Sequence, residues 1–323
     1  MMKIFKVIKY LIVTALCVGI LYAGYYCYFN SDEAIKKFHS FLEENFEWNY
    51  GKDRNEKNNY NELIDSGKVK NRAYIDEEFY PYFGLLNDAQ KEVYYDIIEG
   101  ANEYKQSITP SMKIQVADVK DIFYAVMYDH PEIFWLDSHY SYDFYQDTNE
   151  VIKINLTYTS VIDNIIENRR QFDEIIDTIV TNAKTYQLDY EREKYVHDTL
   201  VNKITYDDEY KDDQSAFNAI VNSRSVCAGY AKSFQIIMTK LGIPTYYITG
   251  EAKGDHAWNL ILLEDGYYNV DVTWDDQVDR IIYKYYNVNE EKISVDHTRK
   301  ELSSMLVKAE GIKYANTYST LGA

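Results

Sequence analysis

Between Cys227 and Trp274 the apolar period of the sequence changes once, and that change points to a helix laid on a sheet. Ala228, Tyr230, Ala231, Phe234, Ile237, Met238 and Leu241 recur at three- and four-residue spacing, which predicts one helix with one buried face. Gly242 and Pro244 end it, as a left-handed cap followed by a residue that cannot continue a helix. Aromatic and β-branched runs at 245–250, 256–263 and 267–274 then predict three strands. Only Glu264-Asp265-Gly266 is available to join the last two, so they form an antiparallel hairpin.

The register of that hairpin decides what chemistry it carries. If 263–266 form a four-residue loop, Leu262 faces Tyr267 and Trp258 faces Asp271. His256 then lies two positions away diagonally on the same face, within hydrogen-bonding reach of Asp271. A two-residue Asp265-Gly266 turn would separate them by roughly 13 Å along the strand. A three-residue loop would put them on opposite faces. The first register is the expected one. Cys227 opens the preceding helix, where unpaired backbone N–H groups and the helix dipole favour negative charge. Thiolate, not thiol, is the nucleophilic form of cysteine. His256 is therefore expected to act as general base and acid, and Asp271 to fix its tautomer and stabilise the imidazolium. Trp258 shares the His256 face and is expected to shield it, with Asn259 alongside. A structural reading has to explain the helix-cap Cys, the strand His and the strand Asp independently. A zinc site lacks a second nearby thiol and paired histidine spacing, so no metal and no cofactor is expected.

The stretches SVCAGYAKSFQIIMTKLGIPTYYITG and HAWNLILLEDGYYNVDVTWDD, with ITYDDEY upstream, resemble the transglutaminase-like superfamily. This papain-related group contains transglutaminases and bacterial cysteine peptidase or amidase relatives. The resemblance implies a Cys227, His256, Asp271 triad acting through a thioester. It also implies an upstream aromatic or amide side chain at the oxyanion hole, for which Tyr206 is the candidate beside a plain core role. Members commonly carry a Gly shortly before the Cys, where this chain has Ser223-Arg224-Ser225.

Charge and the N-terminus bound the setting. The chain carries a formal −18, which repels nucleic-acid phosphates and excludes them as partners. Its 34 tyrosines are spread along the length and read as packing and surface contacts. Lys3, Lys6 and Lys9 precede an uncharged apolar run from Tyr10 to Phe29. That run is long enough to cross a membrane of about 30 Å, and the preceding lysines orient it with a cytoplasmic start. Residues 1–30 are read as a signal anchor that leaves the body outside the cytoplasm; a cleaved signal and a secreted body is the alternative. Cys17 and Cys27 fall in that run, so Cys227 has no disulfide partner in the body.

Upstream of the catalytic block the pattern is mixed. Residues 32–46 read as a charged helix. Asn87 and Gln90 read as a capping box for a helix bearing Val93, Tyr94, Ile97, Ile98 and Ala101. Further helices are expected at 116–128, 160–187 and 190–203, with an antiparallel pair near 140–144 and 151–157. The organisation expected is an anchor (1–30), an α+β leader (31–188), resembling the extracytoplasmic leader of Gram-positive members, and a catalytic domain (189–323). The fold class is α+β. His130, His139 and His297 have no carboxylate or thiol partner that the sequence places, and are read as structural. The expected function is cysteine-dependent acyl transfer or hydrolysis on amide bonds of a protein or peptide at the cell surface, cell-wall associated substrates included. A non-catalytic binding module on the same fold is the alternative.

Overall fold

A computed structural model of the chain describes residues 75–210 and 214–315. The expected anchor and the charged helix at 32–46 lie outside the described residues. Among the described residues no helix is long and apolar enough to cross a membrane.

The upstream half begins with the short helix α1 (Pro81–Gly84) and with α2 (Asp88–Asn102). The α2 cap is the expected box: Gln90 N–H donates to Asn87 Oδ1 at 3.0 Å, and Asn87 N–H donates to Gln90 Oε1 at 3.0 Å. α3 (Val116–Asp129) packs on α2. Strands β1 (Ser107–Ile108), β2 (Leu136–Phe144) and β3 (Val151–Tyr158) form an antiparallel sheet in the order β1-β3-β2. A 3₁₀ turn over Ser160–Asn164 leads into α4 (Ile165–Ala183), followed by α5 (Asp189–Lys203).

In the downstream half, β4 (Thr205–Tyr206) pairs in parallel with β5 (Arg224–Ser225), which delivers the chain to α6 (Cys227–Lys240). β6 (Thr245–Glu251), β7 (Asp255–Leu263) and β8 (Gly266–Val270) are antiparallel neighbours. β9 (Thr298–Arg299) adds to the free edge of β6, giving the order β9-β6-β7-β8. Leu262 pairs with Tyr267 as expected, but the loop is tighter, because Leu263 pairs with Gly266 and only Glu264 and Asp265 turn. Gly266 permits the closure at φ +149°, a conformation other residues avoid.

The strand expected to reach Trp274 stops at Val270. Asp271 caps a short helix instead, α7 (Val272–Asp275). Its Oδ1 accepts the N–H groups of Thr273 and Trp274, both at 3.1 Å, which is the N-cap role that aspartate fills well and a strand interior wastes.

All described residues belong to one unit, Leu63–Ala323, and one apolar core runs from Tyr82 to Leu302. The boundary expected at Leu188 falls inside it. Phe134 of the upstream half stacks on Phe172 and Phe217, and Tyr82 Oη donates to the carbonyl of Tyr247 in β6. These ties across the expected boundary make the two halves one α+β body.

α6 lies across β6 and β7. Tyr230, Phe234, Ile237 and Met238 fill the core, and the smaller Ala228 and Ala231 meet Tyr247 and Ala257 near the helix start. Small residues there bring the helix N-terminus close to the strand carrying His256. Asn259 of β7 fixes the approach by donating to the carbonyls of Ala231 and Tyr246, at 2.9 and 3.2 Å. Ser223 occupies the left-handed region, at φ 56° and ψ 31°, in the segment that leads into α6. A β-carbon on Gly229 would fall 1.9 Å from Ser225 Oγ and 3.0 Å from the Ser215 carbonyl. Gly229→Ala is thus expected to lower stability by about 1–3 kcal/mol, seen as a lower denaturant midpoint, and to displace the first turn that presents Cys227.

Candidate active site

Cys227 occupies the first turn of α6, partly exposed at the wall of a cleft of about 570 Å³. Val226, in extended backbone, precedes it as the cap, so the sulfur projects from the helix start. Across the cleft, His256 of β7 is almost wholly buried. Its Nε2 lies 2.8 Å from Asp271 Oδ2, and the ring is hydrogen-bonded to Cys227 on its other side. Nδ1 is therefore the nitrogen that faces the thiol. Burial alone would push the imidazolium down, but the hydrogen bonds to Asp271 and Cys227, and their charges, outweigh it and raise His256 to about 10.

Asp271 is fully buried and bonded on both oxygens. Oδ1 caps α7, while Oδ2 meets His256 and, at 3.1 Å, Nε2 of His297. Burial pulls its carboxyl upward; the two histidines more than reverse this and hold it below the usual carboxylate value. The carboxylate cannot turn without breaking both the cap and the histidine contacts, so it fixes the tautomer and tilt of His256.

His297 is the residue that sequence reasoning left out, and its reading as partnerless is corrected here. It is buried just ahead of β9, and both ring nitrogens meet carboxylates: Nε2 meets Asp271, and Nδ1 meets Asp296 Oδ1 at 2.7 Å. A chain of contacts thus runs Cys227, His256, Asp271, His297, Asp296. His130 and His139 also have carboxylates, Glu132 at 2.7 Å and Asp137 at 2.6 Å, but neither lines the Cys227 cleft. The ligand atoms of His256, Asp271 and His297 lie within 4.8 Å of one another. They sit at hydrogen-bonding distances about a single carboxylate oxygen, already engaged by both imidazoles.

Aromatic rings enclose the two histidines. Trp258 is buried, its ring 6.1 Å from His256 and 5.0 Å from His297, with its indole N–H on Asn269 Oδ1 at 3.0 Å. It underlies the pair, whereas Trp274, 5.5 Å from His256 and half-buried, lines a second, adjoining cleft that His256 also borders. Tyr206 lines the cleft with Cys227 and His256 and is 52% exposed, so it is a rim residue and not a core tyrosine.

A second buried cluster supports α7 from behind. His197 of α5 meets Asp198 at 3.0 Å and Asp275 of α7 at 3.4 Å. Burial opposes its charge, yet the two carboxylates raise it to about 9. Asp275 Oδ1 also accepts the Tyr285 N–H at 2.9 Å. The helix that Asp271 caps is thereby held at both ends.

Residues 175–272 match the sequence profile of the transglutaminase-like superfamily, a span that takes in Cys227, His256 and Asp271. The chain carries a transglutaminase-like domain. His297 lies beyond the end of the matched span, outside the part of the sequence that the family describes. Among solved structures, a TGase aligns at 14% identity over 52% of this chain and 52% of its own, with a TM-score of 0.32. A candidate cysteine protease from Cytophaga hutchinsonii aligns at 19% identity over 42% of this chain and 61% of its own, with a TM-score of 0.29. The alignments span between half and about three-fifths of those structures. No curated protein matches the chain.

Proposed function

We propose that the transglutaminase-like domain performs acyl transfer from amide bonds through a thioester at Cys227. The observation that carries this reading is His256 held between Cys227 and Asp271 at the head of an open cleft. The Cys227 thiolate attacks the amide carbonyl carbon and forms the S–C bond, and the carbonyl electrons move onto oxygen. In this reading the first-turn N–H groups of α6 receive that oxyanion, and Tyr206, which lines the same cleft, is a further donor. As the oxyanion collapses the C–N bond breaks, and the His256 imidazolium gives its proton to the departing amine. In the second half His256 takes a proton from the incoming nucleophile, which attacks the thioester and restores the thiolate. Water gives hydrolysis; an amine such as a lysine side chain gives transamidation.

The apolar segment from Tyr10 to Phe29 supports a place at the cell surface, with protein or peptide amides as substrates. The competing reading is a binding module that retains the fold without turnover. Incubating the full chain with p-nitrophenyl acetate separates the two. The enzyme reading expects one acetyl group on the Cys227 peptide by mass spectrometry, discharged by water or by an added primary amine, and none in Cys227→Ala. Absence of the acetyl adduct in the native chain would favour the binding module. The ratio of discharge by amine to discharge by water reports which second nucleophile the site accepts.

A further inference from the structure

We propose that Lys232 is a specificity residue that receives a carboxylate on the acyl portion of the substrate, so that the preferred donors are amides of dicarboxylic acids. This rests on the reading of Cys227 as the nucleophile.

Lys232 belongs to α6, five positions after Cys227, and lines the same cleft. At about 1.5 Å per residue its α-carbon lies roughly 7.5 Å further along the helix. Its ammonium donates to the Gln214 carbonyl at 3.1 Å and stands 5.5 Å from the centre of the Tyr247 ring. That ring packs in turn against the Cys227, Ala228 and Ala231 turn. No carboxylate among the described residues stands in an ion pair with Lys232. The other charges at this cleft are committed. His256 holds Asp271 and Cys227, Lys300 bonds Glu251 at 2.8 Å and lies 3.6 Å from Asp255, and Glu301 bonds Lys120 at 2.6 Å. Lys232 is the charge left for a ligand.

The surroundings sharpen this assignment. Desolvation draws the Lys232 ammonium down to about 8, opposed by the Cys227 charge, and no carboxylate among the described residues offsets it. A chain of formal charge −18 repels anions at long range, and a local cation is what makes an anionic donor acceptable. Tyr124, Tyr128 and Tyr247 supply flat walls for the acyl chain on this side of Cys227. His256 also lines an adjoining cleft with Trp274, which Lys232 does not reach, and that cleft is the exit assigned to the leaving amine in this proposal. A carboxylate a few bonds from the reacting carbonyl would reach the ammonium while that carbonyl sits at Sγ.

Two alkylating reagents that differ in charge test this without a known substrate. Iodoacetate and iodoacetamide both lose iodide to the Cys227 thiolate, and only iodoacetate brings a carboxylate. Rates are read on the Cys227 peptide of the full chain at about pH 6.5, where the ammonium is formed. Lys232→Met is expected to lower the iodoacetate-to-iodoacetamide rate ratio about fivefold to tenfold, with the iodoacetamide rate nearly unchanged. Lys232→Arg should retain the ratio. In the native chain the ratio should fall as pH passes about 8, while His256 keeps its proton to about 10. A ratio indifferent to Lys232→Met overturns the proposal. Parallel slowing of both reagents also overturns it, because Lys232 would then be acting on the thiolate and not on the incoming carboxylate. A Cys227 inert to both reagents removes the nucleophile reading, and this one with it.

Discussion

His256→Ala is expected to slow acylation of Cys227 by about three to four orders of magnitude, with the fold retained. Among the described residues the imidazole is the only proton carrier bonded both to the thiol and to a fixed carboxylate, and none of the others replaces it. It fills little volume in the apolar core, and its ring contacts are with Trp258, Trp274 and His297. The pH dependence has a definite sign. His256 is raised from 6.5 to about 10, so the imidazolium that protonates a leaving amine persists through neutral pH. Cleavage of an amide donor should therefore fall on its alkaline limb near pH 10 and not near 6.5. The same shift affects stability. The contribution of His256 is complete below the unfolded value near 6.5 and is lost as pH rises through about 10. The alanine variant should lose less stability across that window than the native chain. What remains should reflect His197, raised to about 9. Acylation kinetics and denaturant midpoints measured from pH 6 to 10 check both parts.

How much of this was legible in the sequence depends on the range of the interaction concerned. The helix after Cys227 and the strands that follow Pro244 come from local periodicity, and the Leu262–Tyr267 register follows from strand alternation. The loop length was not legible in the same way. The turn at Glu264 and Asp265 is held by the tail, with Asp265 Oδ2 accepting the N–H groups of Ile312 and Lys313 at 2.9 and 2.8 Å. Those are contacts across more than forty residues that no local pattern encodes. The end of β8 carried a local signal that hydrophobicity masked. Asp271 precedes three residues with strand character, yet an aspartate ahead of free N–H groups is a helix cap.

His297 was hidden for a further reason. The strand that follows it, β9, has two residues and no periodicity, and it is placed by pairing with β6 at Glu251 and Gly250. That pairing puts His297 behind Asp271. The adjacent Asp296-His297 pair was the one trace in the sequence, and by itself it matches many surface pairs. The division at Leu188 was drawn from the same kind of local signal. A change of pattern along the chain says nothing of whether Phe134 and Phe217, from opposite sides of the boundary, meet in one core.

Substitutions at Asp271 should separate chemistry from architecture, because its two oxygens have different tasks. Asp271→Ala removes the α7 cap and leaves two buried imidazoles facing an empty carboxylate position. Loss of one partner from a buried charged network costs about 3–5 kcal/mol, so a large fall in the denaturant midpoint is expected along with loss of acylation. Asp271→Asn keeps an oxygen that can continue to cap Thr273 and Trp274. The amide then turns its NH₂ toward the histidines and opposes the tautomer that places Nδ1 toward Cys227. Acylation should fall by about four orders of magnitude while most of the stability remains. His297→Ala takes away one of the two imidazoles on Oδ2 and leaves the cap. A charge-assisted hydrogen bond of about 1.5–3 kcal/mol corresponds to a fall of roughly tenfold to a hundredfold in rate, with His297→Gln recovering much of it by restoring a donor. If His297→Ala lowers the midpoint and leaves the pH profile of acylation unmoved, His297 is a packing residue. A shift of the alkaline limb toward neutral pH shows instead that it sets how firmly Asp271 holds the proton on His256.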